Sequence, residues 1–171
     1  MLARVVSGGQ TGVDRAALDV ALELGIPCGG WCPRGRRAED GALPARYPLQ
    51  ETPTEEYAER TEWNVRDSDG TLVLTRGEPS GGIALTIELA RQLGKPHLVL
   101  DLRRQPEAAD VIEWIHRERI GVMNVAGPRE RSAPGSYEEA AVFLRHVLME
   151  SRQPARETTR RRRGPDVSSR P

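Results

Sequence analysis

The sequence predicts an α/β fold, a Rossmann-like, doubly wound, mostly parallel sheet with helices on both faces. Three observations predict it. Strand-like and helix-like segments alternate about five times along the chain. The strand segments are continuous apolar runs, the pattern of strands covered on both faces. The helix segments place apolar residues three and four apart, one stripe per helix.

Each element can be read in turn. "ARVVS" (3–7) is a short buried strand. From Val13 to Leu24 the apolar positions 13, 16, 17, 20, 21 and 24 share one helical face, and Gly25 supplies the stop. "IPCGGW" (26–31) is a weaker strand. Residues 32–53 are polar and rich in Gly, Pro and Arg, an extended loop of the length usually tied to function. "TEEYAERTEWNVRDSD" (54–69) has Tyr57, Ala58, Thr61 and Val65 at helical spacing, with Thr54 as its cap. "GTLVLT" (70–75) is a strand. The segment "IALTIELARQLG" is a helix, and "KPHLVLDL" (95–102) a strand. Helix 106–119, strand 121–127 and helix 136–150 complete the series, with no internal repeat.

At 171 residues the chain fits one domain, 1–150, followed by a basic, disordered tail, 151–171. That tail carries seven arginines against Glu157 and Asp166, with too little apolar surface to offset the entropy of folding. Its cluster Arg160–Arg163 offers a contact for nucleic acid, but no aromatic side chain in the tail provides a stacking platform. No run of about 18 apolar residues marks a membrane span. The start runs straight into a strand without a signal-peptide core, so a cytoplasmic protein is expected. Cys28 and Cys32 stand four apart with no partner cysteines, and His97, His116 and His146 show no ligand spacing, so no metal site is expected.

Ligands of such folds bind beyond the carboxyl ends of the strands. Two glycine-rich strand-to-helix turns fall there. Gly8, Gly9, Gln10, Thr11 and Gly12 precede the first helix, and Ser80, Gly81 and Gly82 precede another, with Thr86 one turn further in. Bare backbone at a helix start offers free N–H groups to an anion, so a small-molecule phosphate ligand is expected. On the helix 54–69, Arg60, Asn64 and Asp67 share one face, and Arg60 suits a bidentate grip on phosphate. In "WCPRGRRAEDG" (31–41), Arg34 and Arg36 add cations, and Trp31 offers a flat surface to a ring. "NVAGPRER" (124–131) follows a strand and would close one end of the pocket.

These stretches together resemble a known family. "SGGQTGVDRAALDVALELGIPCGGWCPRGRRAEDG", "RTEWNVRDSDGTLVL", "GGIALTIELA", "KPHLVLDL" and "NVAGPRE" are similar, in order and over roughly residues 3–148, to the putative molybdenum carrier family. That family sits in the nucleotide-binding superfamily that includes the Lonely Guy phosphoribohydrolases and DprA. The resemblance implies a Rossmann-like fold, a homo-oligomer and binding of molybdenum cofactor. It also implies that Gly8 to Gly12 and Ser80 to Gly82 contact the ligand. The family more often has threonine where this chain has Ile83.

An alternative stays open, a nucleoside monophosphate phosphoribohydrolase of Lonely Guy type, or a nucleotide sensor. Arg60 and Glu88 would then be the catalytic pair. Cleaving an N-glycosidic bond needs carboxylates, and "PSGGIALTIE" has Ile87 where the second acid of the hydrolase pattern stands. That departure favours binding over catalysis.

Overall fold

The computed structural model describes residues 1–152; the tail cluster Arg160–Arg163 lies outside them. Five strands form one parallel sheet: β1 (Arg4–Val6), β2 (Cys28–Gly29), β7 (Gly70–Thr75), β8 (His97–Asp101) and β9 (Val122–Ala126). Their spatial order is β2-β1-β9-β7-β8. Counted from β7 instead of β1, that order reads 2-1-3-4-5, the doubly wound arrangement whose ligand crevice opens where the winding reverses. Here the reversal falls between β9 and β7.

Helices cover both faces. α1 (Val13–Glu23), α4 (Ala108–Glu118) and α5 (Ser136–Glu150) pack together on one side, and α2 (Tyr57–Arg66) pairs with α3 (Gly81–Gln92) on the other. The main core lies under the first group, where Val5, Leu72, Leu74, Met123 and Val125 of the sheet meet Ala17, Trp114, Leu144 and Leu148. Burying such side chains contributes about 1.5–3 kcal/mol each.

Helix stops read from glycine have a clear geometry. After α1, Gly25 at φ 65° lets Ile26 N–H reach the Ala21 carbonyl at 2.8 Å. Gly94 does the same for Lys95 and Ala90, also at 2.8 Å. Both are six-to-one closures of the last helical turn.

Three elements differ from the sequence reading. The weak strand 26–31 is two pieces: after β2 the chain bends at Gly30, and β3 (Trp31–Cys32) pairs with β6 (Gln50–Glu51). The loop 32–53 is ordered into a 3-10 turn (Arg34–Arg36) and the hairpin of β4 (Arg37–Ala38) and β5 (Gly41–Ala42). Beneath it Leu18, Cys32, Leu43, Tyr47 and Leu49 form a second, smaller core. Helix 54–69 is shorter than its periodicity suggests. Glu59 takes both the N–H and hydroxyl of Thr54, which holds the chain in a turn until Tyr57. No helix among the described residues is long and apolar enough to cross a membrane.

Candidate functional site

A cavity of about 400 Å³ opens beyond the carboxyl ends of β7 and β9, at the reversal of winding. Its wall includes Thr75 and Arg76 after β7, Gly127 and Arg129 after β9, Tyr57 and Arg60 of α2, and the start of α3. The position follows from topology: neighbouring parallel strands whose connections leave in opposite directions leave a gap between their helices.

One side of the cavity is the N-terminus of α3. Gly81 and Gly82 have no acceptor for their N–H groups among the described residues, and the space where a Cβ would stand is open at both. Ser80 caps the helix by backbone geometry alone. The first exposed donors of a three-turn helix therefore face the cavity, carrying the positive end of its dipole. Thr86 also lines the wall, but its hydroxyl donates to the Gly82 carbonyl at 2.8 Å.

Cations flank this seat. Arg129 stacks over the Tyr57 ring at 4.7 Å and meets no carboxylate within ion-pair distance among the described residues. Arg76 pairs with Glu139 at 3.1 Å and donates to the Pro134 carbonyl at 2.6 Å, which fixes it at the rim. Arg76 was not among the expected ligand residues, whereas Arg129 belongs to the stretch 124–131 expected to close one end of the pocket, of which Ala126 to Arg129 line it. The rule that function gathers past the ends of central strands finds them, since Arg76 follows β7 directly and Arg129 stands three residues after β9.

The floor is built by Gln10, Asp14 and Arg60. Arg60 Nη1 donates to Asp14 Oδ2 at 3.2 Å, and both side chains are nearly buried. Burial pushes the Asp14 carboxyl above the ordinary 3.8, against the opposing pull of Arg60 and of the Gly127 and Gln10 N–H groups. Gly8 is where it is because the Arg60 guanidinium lies against its Cα; any side chain there would collide with it.

The remaining first-loop residues meet protein. A Cβ on Gly9 would stand 2.6 Å from Leu49, and one on Gly12 would strike the Pro128 carbonyl. That carbonyl also accepts the Val13 N–H at 3.2 Å, so the start of α1 is capped from within. The Thr11 hydroxyl bonds Glu39 and accepts from Glu130 N–H, and with Gly12 it lines a separate, shallower concavity. Of the five, Gln10 alone lines the main cavity.

Five other predicted residues lie away from it. Arg34 pairs with Glu55 at the surface, 3.5 Å apart. Arg36 donates to the carbonyls of Leu43, Pro44, Tyr47 and Leu49, tying the 32–53 loop together. Asn64 brackets the Trp31 peptide, accepting its N–H and donating to its carbonyl, both at 2.9 Å. The Trp31 indole donates to Asp67 at 2.8 Å and meets Trp63 edge-on, so it covers no ring in the main cavity. Glu88 is exposed on α3, bonded by Gln92 at 2.9 Å, and does not line the cavity either.

Comparison with known proteins places these features. The sequence profile of the circularly permutated YpsA SLOG family matches residues 5–148. A crystal structure of a protein named "putative molybdenum carrier protein", from Syntrophus aciditrophicus SB, is 46% identical. It superimposes with a TM-score of 0.82, over 86% of this chain and 95% of that one. No curated protein matches. A strand order that becomes 2-1-3-4-5 when counted from β7 is what a circular permutation of a doubly wound sheet produces.

Proposed function

The chain belongs to the circularly permutated YpsA SLOG family, and from that premise we propose that it binds a phosphate-bearing heterocycle in the cavity between β7 and β9. The observation that carries this reading is the open N-terminus of α3, with two free backbone donors beside Arg129. Such a seat favours a phosphate through both its N–H groups and its dipole.

Molybdenum cofactor is the first candidate ligand, because the 46% identical relative is named as a molybdenum carrier. The cavity suits its organic part, a ring with a phosphate end. Cys28 and Cys32 lie outside the lining, so the ligand's own atoms would hold the metal. Leu85 and Leu93 on α3 and Val99 on the edge strand β8 stay exposed, which supports self-association of the chain.

The phosphoribohydrolase alternative needs Glu88 at the ligand, and the exposed position of that side chain speaks for carriage. Native mass spectrometry of the purified protein, with metal analysis, tests the reading. A co-purifying or added phosphate-bearing pterin should bind without turnover. Release of free base from nucleoside monophosphates, abolished in Arg60→Ala, would make the protein an enzyme instead.

A further inference from the structure

Two buried donors at the cavity floor have no acceptor among the described residues: Gln10 Nε2 and Arg60 Nε. Gln10 is 3% exposed, and its amide orientation is fixed, because Oε1 accepts from the N–H groups of Thr11 at 3.0 Å and Glu39 at 2.9 Å. Its Nε2 is therefore the end left over. Arg60 is held likewise, with Nη1 on Asp14. They come from the β1–α1 connection and from α2, 50 residues apart in sequence, and line the same cavity. Buried donors are nearly always paired, so two unpaired ones on residues that line one cavity point to an acceptor the ligand brings.

The charge balance says which acceptor. Asp14 already neutralises Arg60, so a second full anion at the floor would face a carboxylate with no net positive charge to hold it. A neutral oxygen meets the donors without that penalty. The anion belongs at α3, where Arg129 and the first helix N–H groups have no carboxylate or carbonyl partner among the described residues.

We propose that Gln10 and Arg60 form a ring-reading subsite that accepts a carbonyl oxygen, so that the cavity selects phosphate esters of oxo-heterocycles, of the guanine, hypoxanthine or pterin kind, over amino-heterocycles such as adenine. This rests on the phosphate-ligand reading above and adds the chemistry of the ring. An amino group in place of the carbonyl turns donors towards donors and leaves both floor groups unmet. Sites built to hydrogen-bond a polar group reject the analogue that lacks it by large factors.

Calorimetric titration of the full-length protein with ribose 5-phosphate, inosine monophosphate and adenosine monophosphate tests this. The inosine nucleotide should bind at least about tenfold more tightly than the adenosine nucleotide. Gln10→Glu keeps the oxygen that holds Thr11 and Glu39 but loses the donor. It should remove that preference. Gln10→Leu, checked for folding by thermal melting, should behave the same way. Equal affinity for the two nucleotides, with ribose 5-phosphate bound, overturns the ring-reading subsite and leaves the phosphate reading standing. Failure of all three to bind overturns both.

Discussion

Asp14 stands at the junction of the β1–α1 connection, α2 and the end of β9, and is 3% exposed. Because burial raises its carboxyl above 3.8 in the folded protein, the sign of its pH effect can be worked out. Between 3.8 and the raised folded value the folded state binds the proton that the unfolded state has lost. This group's contribution to stability therefore falls as pH rises through that window. Each pH unit between the two values is worth about 1.4 kcal/mol. Asp14→Asn removes the effect, so the stability of the wild type relative to this variant should increase as pH is lowered from 7 towards 4. Paired thermal melts across that range check it, and a wild type that loses ground to the variant on acidification would refute it. The pairing that opposes this shift was hidden in the sequence. Asp14 and Arg60 are 46 residues apart, and Arg60 reads equally well as a phosphate ligand until Gly8 is seen to make room for it. Arg36 shows the same limit: its four carbonyl acceptors gather only once the loop is folded.

Among the elements, α3 was the most legible, since "SGG" after an apolar strand and before a periodic helix reports an open helix start directly. The matching stretch "GGQTG" before α1 carries the same local signal and a different outcome. Its helix start is capped by Pro128, a residue more than a hundred positions later in the chain. Local sequence states that backbone must come close to something; only tertiary packing decides whether that is ligand or protein. The difference makes α3 testable on its own. Gly82 has open space at its Cβ position and no positive φ, so a side chain enters without strain. Gly82→Asp would set a carboxylate at the positive end of the helix and remove a glycine from it. The two effects should raise stability by about 0.5–1.5 kcal/mol. The same carboxylate occupies the anion seat and repels phosphate, so affinity for ribose 5-phosphate should fall at least about tenfold. A higher melting temperature with weaker binding is the expected pair of results. Unchanged binding in the stabilised variant would move the phosphate away from α3.

For the whole molecule, the alternation of apolar runs and amphipathic helices was enough to read a doubly wound sheet, because both patterns are local. It was not enough to read the order of the strands, and so the location of the crevice. β9, the last strand, inserts between β1 and β7, and nothing local in "GVMNVAG" says so. The order carries a consequence for the chain as a whole. In a parallel sheet β1 starts at the edge opposite the cavity, and α5, leaving the cavity edge after β9, returns to that same opposite edge. Both are tied to elements of that edge: Ala3 N–H bonds the Gly121 carbonyl at 2.8 Å, and Arg152 donates to the Leu24 carbonyl at 2.6 Å. A short flexible linker from residue 152 to Met1 should therefore span the gap, and the exposed segment 53–56 ahead of α2 offers a place for new ends. The resulting chain would begin with α2 and β7 and wind its strands as 2-1-3-4-5 without moving any packed element. It should fold to the same circular dichroism spectrum, with a melting temperature within about 5 °C and an unaltered affinity for ribose 5-phosphate, because every group of the α3 seat and the floor keeps its neighbours. A permutant that folds but loses the ligand would show that the connection through 53–56 holds α2, and with it Arg60, in place.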